Sequence, residues 1–201
     1  MLFMFAVLVT VTSAVASLLA RLSLEVPACP RVGTVSYNTS SPDQGLFPWT
    51  RVDLCYDDSS IKFNFTAFDE KDFYYNQSLT TNGEIYNYKV MEAFLVPLWI
   101  QQPSDLPLEV TPNNVTFQAF NGITATTTLD HADELWVSNV QIPHGLFNLD
   151  AGEAGGTEWR MNFFRTVTGP TTFPAQTFGS WSPPDQVNFH ITPFFGHATF
   201  V

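Results

Sequence analysis

Apolar residues along this chain fall into short blocks of four to eight, rich in Phe, Val, Ile and Trp, with clusters of Pro, Gly, Asn, Asp and Ser between them. Past the first twenty residues no segment holds a 3.6-residue apolar period through three turns, so the pattern predicts strands rather than helices. In Ile61-Lys62-Phe63-Asn64-Phe65-Thr66-Ala67 the apolar residues take the odd positions, which turns Lys62, Asn64 and Thr66 to one polar face. Val115-Thr116-Phe117-Gln118-Ala119 repeats the arrangement, with Asn114 on the face of Thr116 and Gln118. Strands are predicted at residues 32–37, 61–68, 86–96, 108–110, 115–120, 135–142, 158–165, 187–191 and 198–201. So many short strands bury their apolar faces only in two packed sheets or a barrel, and the predicted fold class is all-β. Residues 143–157, with their His-Gly, Ala-Gly-Glu and Gly-Gly elements, are predicted to form an irregular loop.

Length and charge narrow the partners. At 201 residues the chain suits one domain with a single sizeable core. Eight Lys and Arg against nineteen Asp and Glu leave a net charge of -11, which excludes a cationic track along a phosphate backbone, so nucleic acid is not an expected partner. Charged residues make up 13% and hydrophobic ones 45%, a composition that excludes disorder driven by charge and low hydropathy.

The first twenty residues carry no charge and run through an apolar stretch to Ala14 and Ala16, the small-x-small spacing of a signal-peptidase site. Cleavage after Ala16 is expected, giving a signal peptide at 1–16, a leader segment at 17–27 and a β-domain at 28–201, with no stable membrane insertion once the signal is removed. The apolar run lacks a preceding Lys or Arg and is long enough to span, so an uncleaved anchor is the alternative. Export follows from both. Cys29 and Cys55, the two cysteines of the chain, are read as one disulfide closing a loop of about 25 residues and contributing about 3 kcal/mol by chain entropy. A two-thiolate metal site is the weaker alternative, because no His lies near either Cys in sequence. Sequons at Asn38, Asn64, Asn76 and Asn114 are candidate N-glycosylation sites.

Neither G-x-S-x-G nor another serine elbow occurs, so nucleophilic catalysis has no motif. Two carboxylates suffice for a glycosidase, and sequence spacing does not reveal such a pair. Glu92 lies inside the apolar run Val90-Met91-Glu92-Ala93-Phe94-Leu95-Val96, where an unpaired carboxylate is costly. It is expected to pair with Arg160 across one sheet face or to meet a ligand. Arg160 and Asn162 share the polar side of the alternating segment Trp159 to Arg165 and carry the planar donors and acceptor that grip vicinal hydroxyls. Trp136 and Trp159 are expected in the core. Trp181, inside the turn sequence Gly179-Ser180-Trp181-Ser182-Pro183-Pro184, is expected to be exposed and to stack on a sugar ring. Asp130, Asp133 and Glu134, together with the run Asp69-Glu70-Lys71-Asp72, offer hard oxygen ligands for a calcium ion without EF-hand spacing. The four His are expected to be structural.

The segments Glu158-Trp159-Arg160-Met161-Asn162-Phe163-Phe164-Arg165, Phe178-Gly179-Ser180-Trp181-Ser182-Pro183 and Phe195-Gly196-His197-Ala198-Thr199-Phe200 resemble the family 9-like carbohydrate-binding domains. Tyr86 ahead of Glu92-Ala93-Phe94-Leu95, and Leu108-Glu109-Val110-Thr111-Pro112-Asn113, are similar to further parts of that family, so the likeness runs from about residue 85 to the end. The resemblance implies a jelly-roll-like β-sandwich of two antiparallel sheets that binds an oligosaccharide or polysaccharide, in some members the reducing end of a glycan between two aromatic side chains, with a structural calcium. It places the first aromatic at Tyr86, where the family has Trp, and the buried acid at Glu92; Trp181 is the candidate for the second aromatic. The expected function is a secreted, non-catalytic carbohydrate-binding protein with a site of Tyr86, Glu92, Arg160, Asn162 and Trp181. The alternatives are a haem-binding electron-transfer domain of the related DOMON-type sandwiches, with Met91, Met161 and His190 as candidate ligands, a small glycoside hydrolase, and a purely structural cell-surface domain.

Overall fold

A computed structural model describes residues 22–79, 84–99, 106–110, 115–116 and 122–201. The expected signal peptide with its cleavage site at Ala16, and the sequon at Asn114, lie outside the described residues. The chain forms a sandwich of two sheets. The small sheet runs β2 (Gly33–Thr39), β3 (Leu46–Tyr56), β4 (Ser60–Ala67), β9 (Leu135–Pro143) and β8 (Thr124–Asp130) in spatial order, all pairs antiparallel. The large sheet runs β1 (Ser23–Val26), β12 (Gly196–Phe200), β10 (Glu158–Val167), β5 (Val90–Pro97), β6 (Leu106–Val110) and β7 (Val115–Thr116). On the edge of β10 away from β5, β12 covers the first half and β11 (Thr177–Ser180) the second.

This is the all-β sandwich the pattern called for, with several differences. Pairing of β1 with β12 is parallel, so the large sheet is not wholly antiparallel, and the fold reaches upstream of residue 28 into the expected leader. Strand β3 escaped the sequence reading because Pro48 and the exposed Leu46 and Trp49 break its alternation, and β8, Thr-Ala-Thr-Thr-Thr-Leu-Asp, because it alternates only in degree. Residues 187–191 form no strand and instead cross the outer face of the large sheet, where Phe189 stacks on Phe164 with centroids 4.1 Å apart. Residues 85–87 form a 3-10 turn before β5 rather than its first residues.

Alternation sets what meets between the sheets. Met91, Ala93, Leu95, Trp159, Met161 and Phe163 project from the large sheet against Val52, Leu54, Ile61, Phe63, Phe65, Trp136 and Val140 of the small one. Phe163 lies edge-on to both Phe63 and Phe65 at 6.3 Å. Each such side chain contributes about 1.5–3 kcal/mol on burial. Cys29 and Cys55 form the expected disulfide, with Cα atoms 5.2 Å apart.

One end of the sandwich is closed by charge. Arg165, fully buried on the core side of β10, donates from Nη2 to Glu70 Oε2 at 2.9 Å and from Nη1 to the carbonyls of Trp49 and Phe68 at 3.1 Å. Lys89 Nζ binds the other oxygen of Glu70. Glu70 therefore takes two protein cations in place of the calcium expected for its acidic run. A buried carboxylate held this way is costly to strip of a partner, about 3–5 kcal/mol.

Candidate functional site

The outer face of the large sheet carries a second, smaller apolar cluster. Phe94, Val96 and Phe164 point away from the main core and would lie bare if the chain after β11 did not return across them. Residues 182–195 do so as a strap, seating Phe189 and Phe195 on that face; Phe94 meets Phe164 edge-on at 5.5 Å and Phe195 at 5.8 Å. Asn162 pins the strap. Its Nδ2 donates to the Ser182 carbonyl at 2.6 Å and its Oδ1 accepts from the Ser182 N–H at 2.9 Å, so one fully buried amide copies a strand pairing. Ser182 Oγ then donates to the Phe194 carbonyl at 2.6 Å and ties the two ends of the strap together.

Where the strap stops short of the 3-10 turn at residues 85–87, a cleft of about 260 Å³ remains. Tyr86, Phe178, Val187 and Phe189 give it aromatic and apolar walls, and Glu92, Thr166, Gln176 and His190 supply polar groups. Tyr86 is 51% exposed, whereas Glu92 beneath is 4% exposed. Gln176 Nε2 donates to the Tyr86 carbonyl at 2.7 Å, so the segment before β11 holds the turn that presents the tyrosine. Apolar walls with a few convergent polar groups are the ordinary make-up of a small-molecule site, and this volume suits a ligand of about one or two rings.

Two of the five expected binding residues, Tyr86 and Glu92, thus come together. The other three do not. Trp181 is 8% exposed and belongs to the main core, against Phe163 at 5.8 Å. The ladder of β11 continues one residue beyond the strand, with the Trp181 N–H donating to the Phe163 carbonyl at 3.0 Å, so alternation turns the indole inward even as the chain begins to bend. Gly196 makes room for it, since a Cβ there would stand 2.5 Å from the indole ring. Asn162 lies beneath the strap with its amide engaged on Ser182. Arg160 shares the outer face but lies outside the cleft, with Nη1 3.4 Å from the Thr192 carbonyl. The register pairs Glu92 with Phe164 and Arg160 with Val96, a separation of four residues or about 13 Å along the strands. The register therefore does not set Glu92 and Arg160 opposite one another as expected.

The cleft residues missed in the sequence had a signal. Phe178 and Trp181 are three apart, so in one strand they cannot share a face; if one is core, the other lines the outside.

The remaining chemistry resolves in the same way. Asp130, Asp133 and Glu134 form the β8–β9 turn, where Asp130 Oδ1 accepts the N–H groups of Ala132 and Asp133 and Glu134 approaches Lys71 at 3.7 Å. Among the described residues no three His, Cys, Asp or Glu side chains converge to hold an ion, so the acidic turn does not fit the expected calcium. Met91 and Met161 face the core while His190 lies on the outer strap, so neither Met can share a haem with that His. Among the described residues no helix is long and apolar enough to cross a membrane.

No family model matches the chain. A protein of the fungus Arthroderma benhamiae described as "Extracellular protein" is 41% identical over 202 residues, covering 89% of this chain and 90% of the relative. The chain belongs to the family of that extracellular protein. Among solved structures, a "putative carbohydrate-binding protein" from Bacteroides uniformis superposes with a TM-score of 0.66 at 17% identity, over 90% of this chain and 100% of that one. At that identity the likeness establishes a shared sandwich fold.

Proposed function

We propose that this is a secreted, non-catalytic carbohydrate-binding protein that takes a short saccharide, such as the reducing end of a plant or cell-wall glycan, in the cleft beneath Tyr86. The observation that carries the reading is the cleft itself: a half-exposed tyrosine ring beside a recessed carboxylate, with further aromatic walls. An aromatic face stacks on the apolar face of a sugar, and Glu92, Gln176 and His190 are suited to its hydroxyls. Secretion is supported by the description of the fungal relative as extracellular, and saccharide binding by the description of the Bacteroides neighbour. Few contacts and shallow burial predict weak binding of isolated sugars, in the millimolar to high micromolar range, about 4–6 kcal/mol.

The test is titration calorimetry against xylo-, gluco- and manno-oligosaccharides. Tyr86→Ala and Glu92→Gln should each weaken binding about tenfold or more, while Thr126→Ala on the small sheet leaves it unchanged. A parent that binds none of these sugars, or a Tyr86→Ala variant that binds like the parent, overturns the reading. One observation favours a hydrolytic alternative: the backbone register sets position 109 of β6, a Glu, opposite position 92, and glycoside hydrolysis needs two carboxyl residues. Release of reducing sugar that disappears in Glu92→Gln would replace binding with hydrolysis.

A further inference from the structure

The outer face of the small sheet is built from hydroxyls, amides and charges: Thr34 and Ser36 of β2, Lys62 and Asn64 of β4, Thr126 of β8 and Asn139 of β9. Trp49 interrupts it. The indole sits on the bulged start of β3, 51% exposed, one residue before Thr50, whose side chain is buried against the core. A Trp left half in water on a polar sheet face gains nothing for the core, and its neighbour across the ladder indicates what covers it.

That neighbour is Asn38, the acceptor of the sequon Asn38-Thr39-Ser40. Tyr37 pairs with Thr50, and both side chains are buried. Asn38 and Trp49 follow this last regular pair on either strand, and both leave the core side: Asn38 is half-buried and Trp49 is half exposed. Beyond them the register slips to Thr39↔Leu46, so β2 has one residue, Asn38, against Phe47, Pro48 and Trp49 of β3. The extra chain on β3 widens the ladder beside Asn38. Two other sequons differ: Asn64 donates Nδ2 to Asn139 at 2.8 Å and Asn76 donates Nδ2 to Tyr88 at 3.2 Å.

We propose that Asn38 is N-glycosylated and that the first sugar of its glycan stacks on the indole of Trp49. The covalent step is the ordinary one: Asn38 Nδ2 displaces the lipid-linked phosphate from the anomeric carbon of a preassembled oligosaccharide, and one amide proton leaves. The inference rests on the secretion part of the proposed function and is independent of the saccharide cleft, which lies on the other sheet. It also accounts for an aromatic residue where the rest of the face is hydroxyl and amide.

The test uses the full chain secreted from yeast. Glycopeptide mass spectrometry should find Asn38 occupied, and Asn38→Gln should lower the melting temperature by about 2–4 °C, the size expected for one stacked aromatic contact in a domain of this length. In a Trp49→Ala background Asn38→Gln should cost nothing further, because the partner of the sugar is already gone. As a readout that needs no Trp49 variant to fold, acrylamide should quench the glycosylated parent less than Asn38→Gln. An unmodified Asn38 in secreted protein overturns the proposal. Equal losses with and without Trp49, or equal quenching, show a glycan that ignores the indole and also overturn it. Loss of oligosaccharide binding by the parent would sink the cleft reading while leaving these results untouched.

Discussion

The outer faces of the two sheets are both solvent-side surfaces of a sandwich, and they meet water in opposite ways. The large sheet presents Phe94, Val96 and Phe164 and is roofed by the strap at residues 182–195. The small sheet presents Thr34, Ser36, Asn64 and Asn139, with Trp49 beside them, and no segment of the described chain roofs it as the strap roofs the large sheet. The roof is what creates a concave site: where it ends, Tyr86, Phe178 and Phe189 are left as aromatic walls around Glu92. A sheet face built mostly of hydroxyls and amides gains little from a covering segment of chain.

The comparison breaks most severely at Trp181, which anchors the root of the strap in the main core. Trp181→Ala should destabilise the protein by about 3–5 kcal/mol in denaturant unfolding, as for a large buried aromatic; a melting temperature close to that of the parent would mean that the indole lies outside the core. Asn162→Ala comes next. Removing the amide leaves the N–H and carbonyl of Ser182 beneath the strap without their partner, at about 2–3 kcal/mol, and saccharide binding should fall with the strap's loss of anchorage. If Asn162→Ala leaves both stability and binding intact, the strap is held by its Phe residues alone.

A smaller effect is expected from pH at one end of the small sheet, where His144 and Asp57 lie. His144, at the 3-10 turn after β9, has its imidazole pKa pushed down by burial, against the opposing pull of Asp57 and the Asp58 backbone. A base with a depressed native pKa binds its proton first in the unfolded chain, so stability is full above about pH 6.5 and falls as pH drops from there toward the native value. In His144→Gln the slope below about pH 6.5 should flatten in urea titrations. Burial pushes the Asp57 carboxyl up, but hydrogen bonds from Lys62, from the Ser59 backbone and from the Ser59 and Ser60 hydroxyls outweigh it and hold the group below the usual carboxylate range. Its stabilisation is present above about pH 4 and is lost only at lower pH, which keeps the two windows apart. The least change is expected from Thr126→Ala, an exposed threonine on the polar face of the small sheet, within about 0.5 kcal/mol; a larger loss would show that Thr126 makes contacts beyond its own strand.

Much of the fold was legible because alternation is a local property. Odd-numbered apolar residues in β4 and the Trp159-Met161-Phe163 series in β10 each name their own buried face, and the two cysteines had only each other. Glu92 was identifiable as a carboxylate in an apolar run, and Tyr86 came from the resemblance. Strand β3 was hidden because Leu46, Pro48 and Trp49 break its alternation, and β8 because a single sequence does not say that a Thr-rich segment has a neighbour to pair with. Trp181 was misplaced because Ser182-Pro183-Pro184 marks a turn, while the residue where that turn starts depends on how far β10 extends the ladder.

Spacing along the chain was enough to say which residues share a face in strands such as β4 and β10, that the sheets must pack on one another, and that Cys29 pairs with Cys55. Tertiary structure decided the partners. Glu70, not Glu92, received Arg165; Arg160 was carried about four residues along the strands away from Glu92; and Asn162 took the backbone of Ser182 in place of a ligand. The physical reason is that side-chain direction follows from the dihedral angles of a strand, residue by residue. Neighbours across a ladder follow instead from the register between segments far apart in the chain, and a shift of one position moves every side chain to the other face.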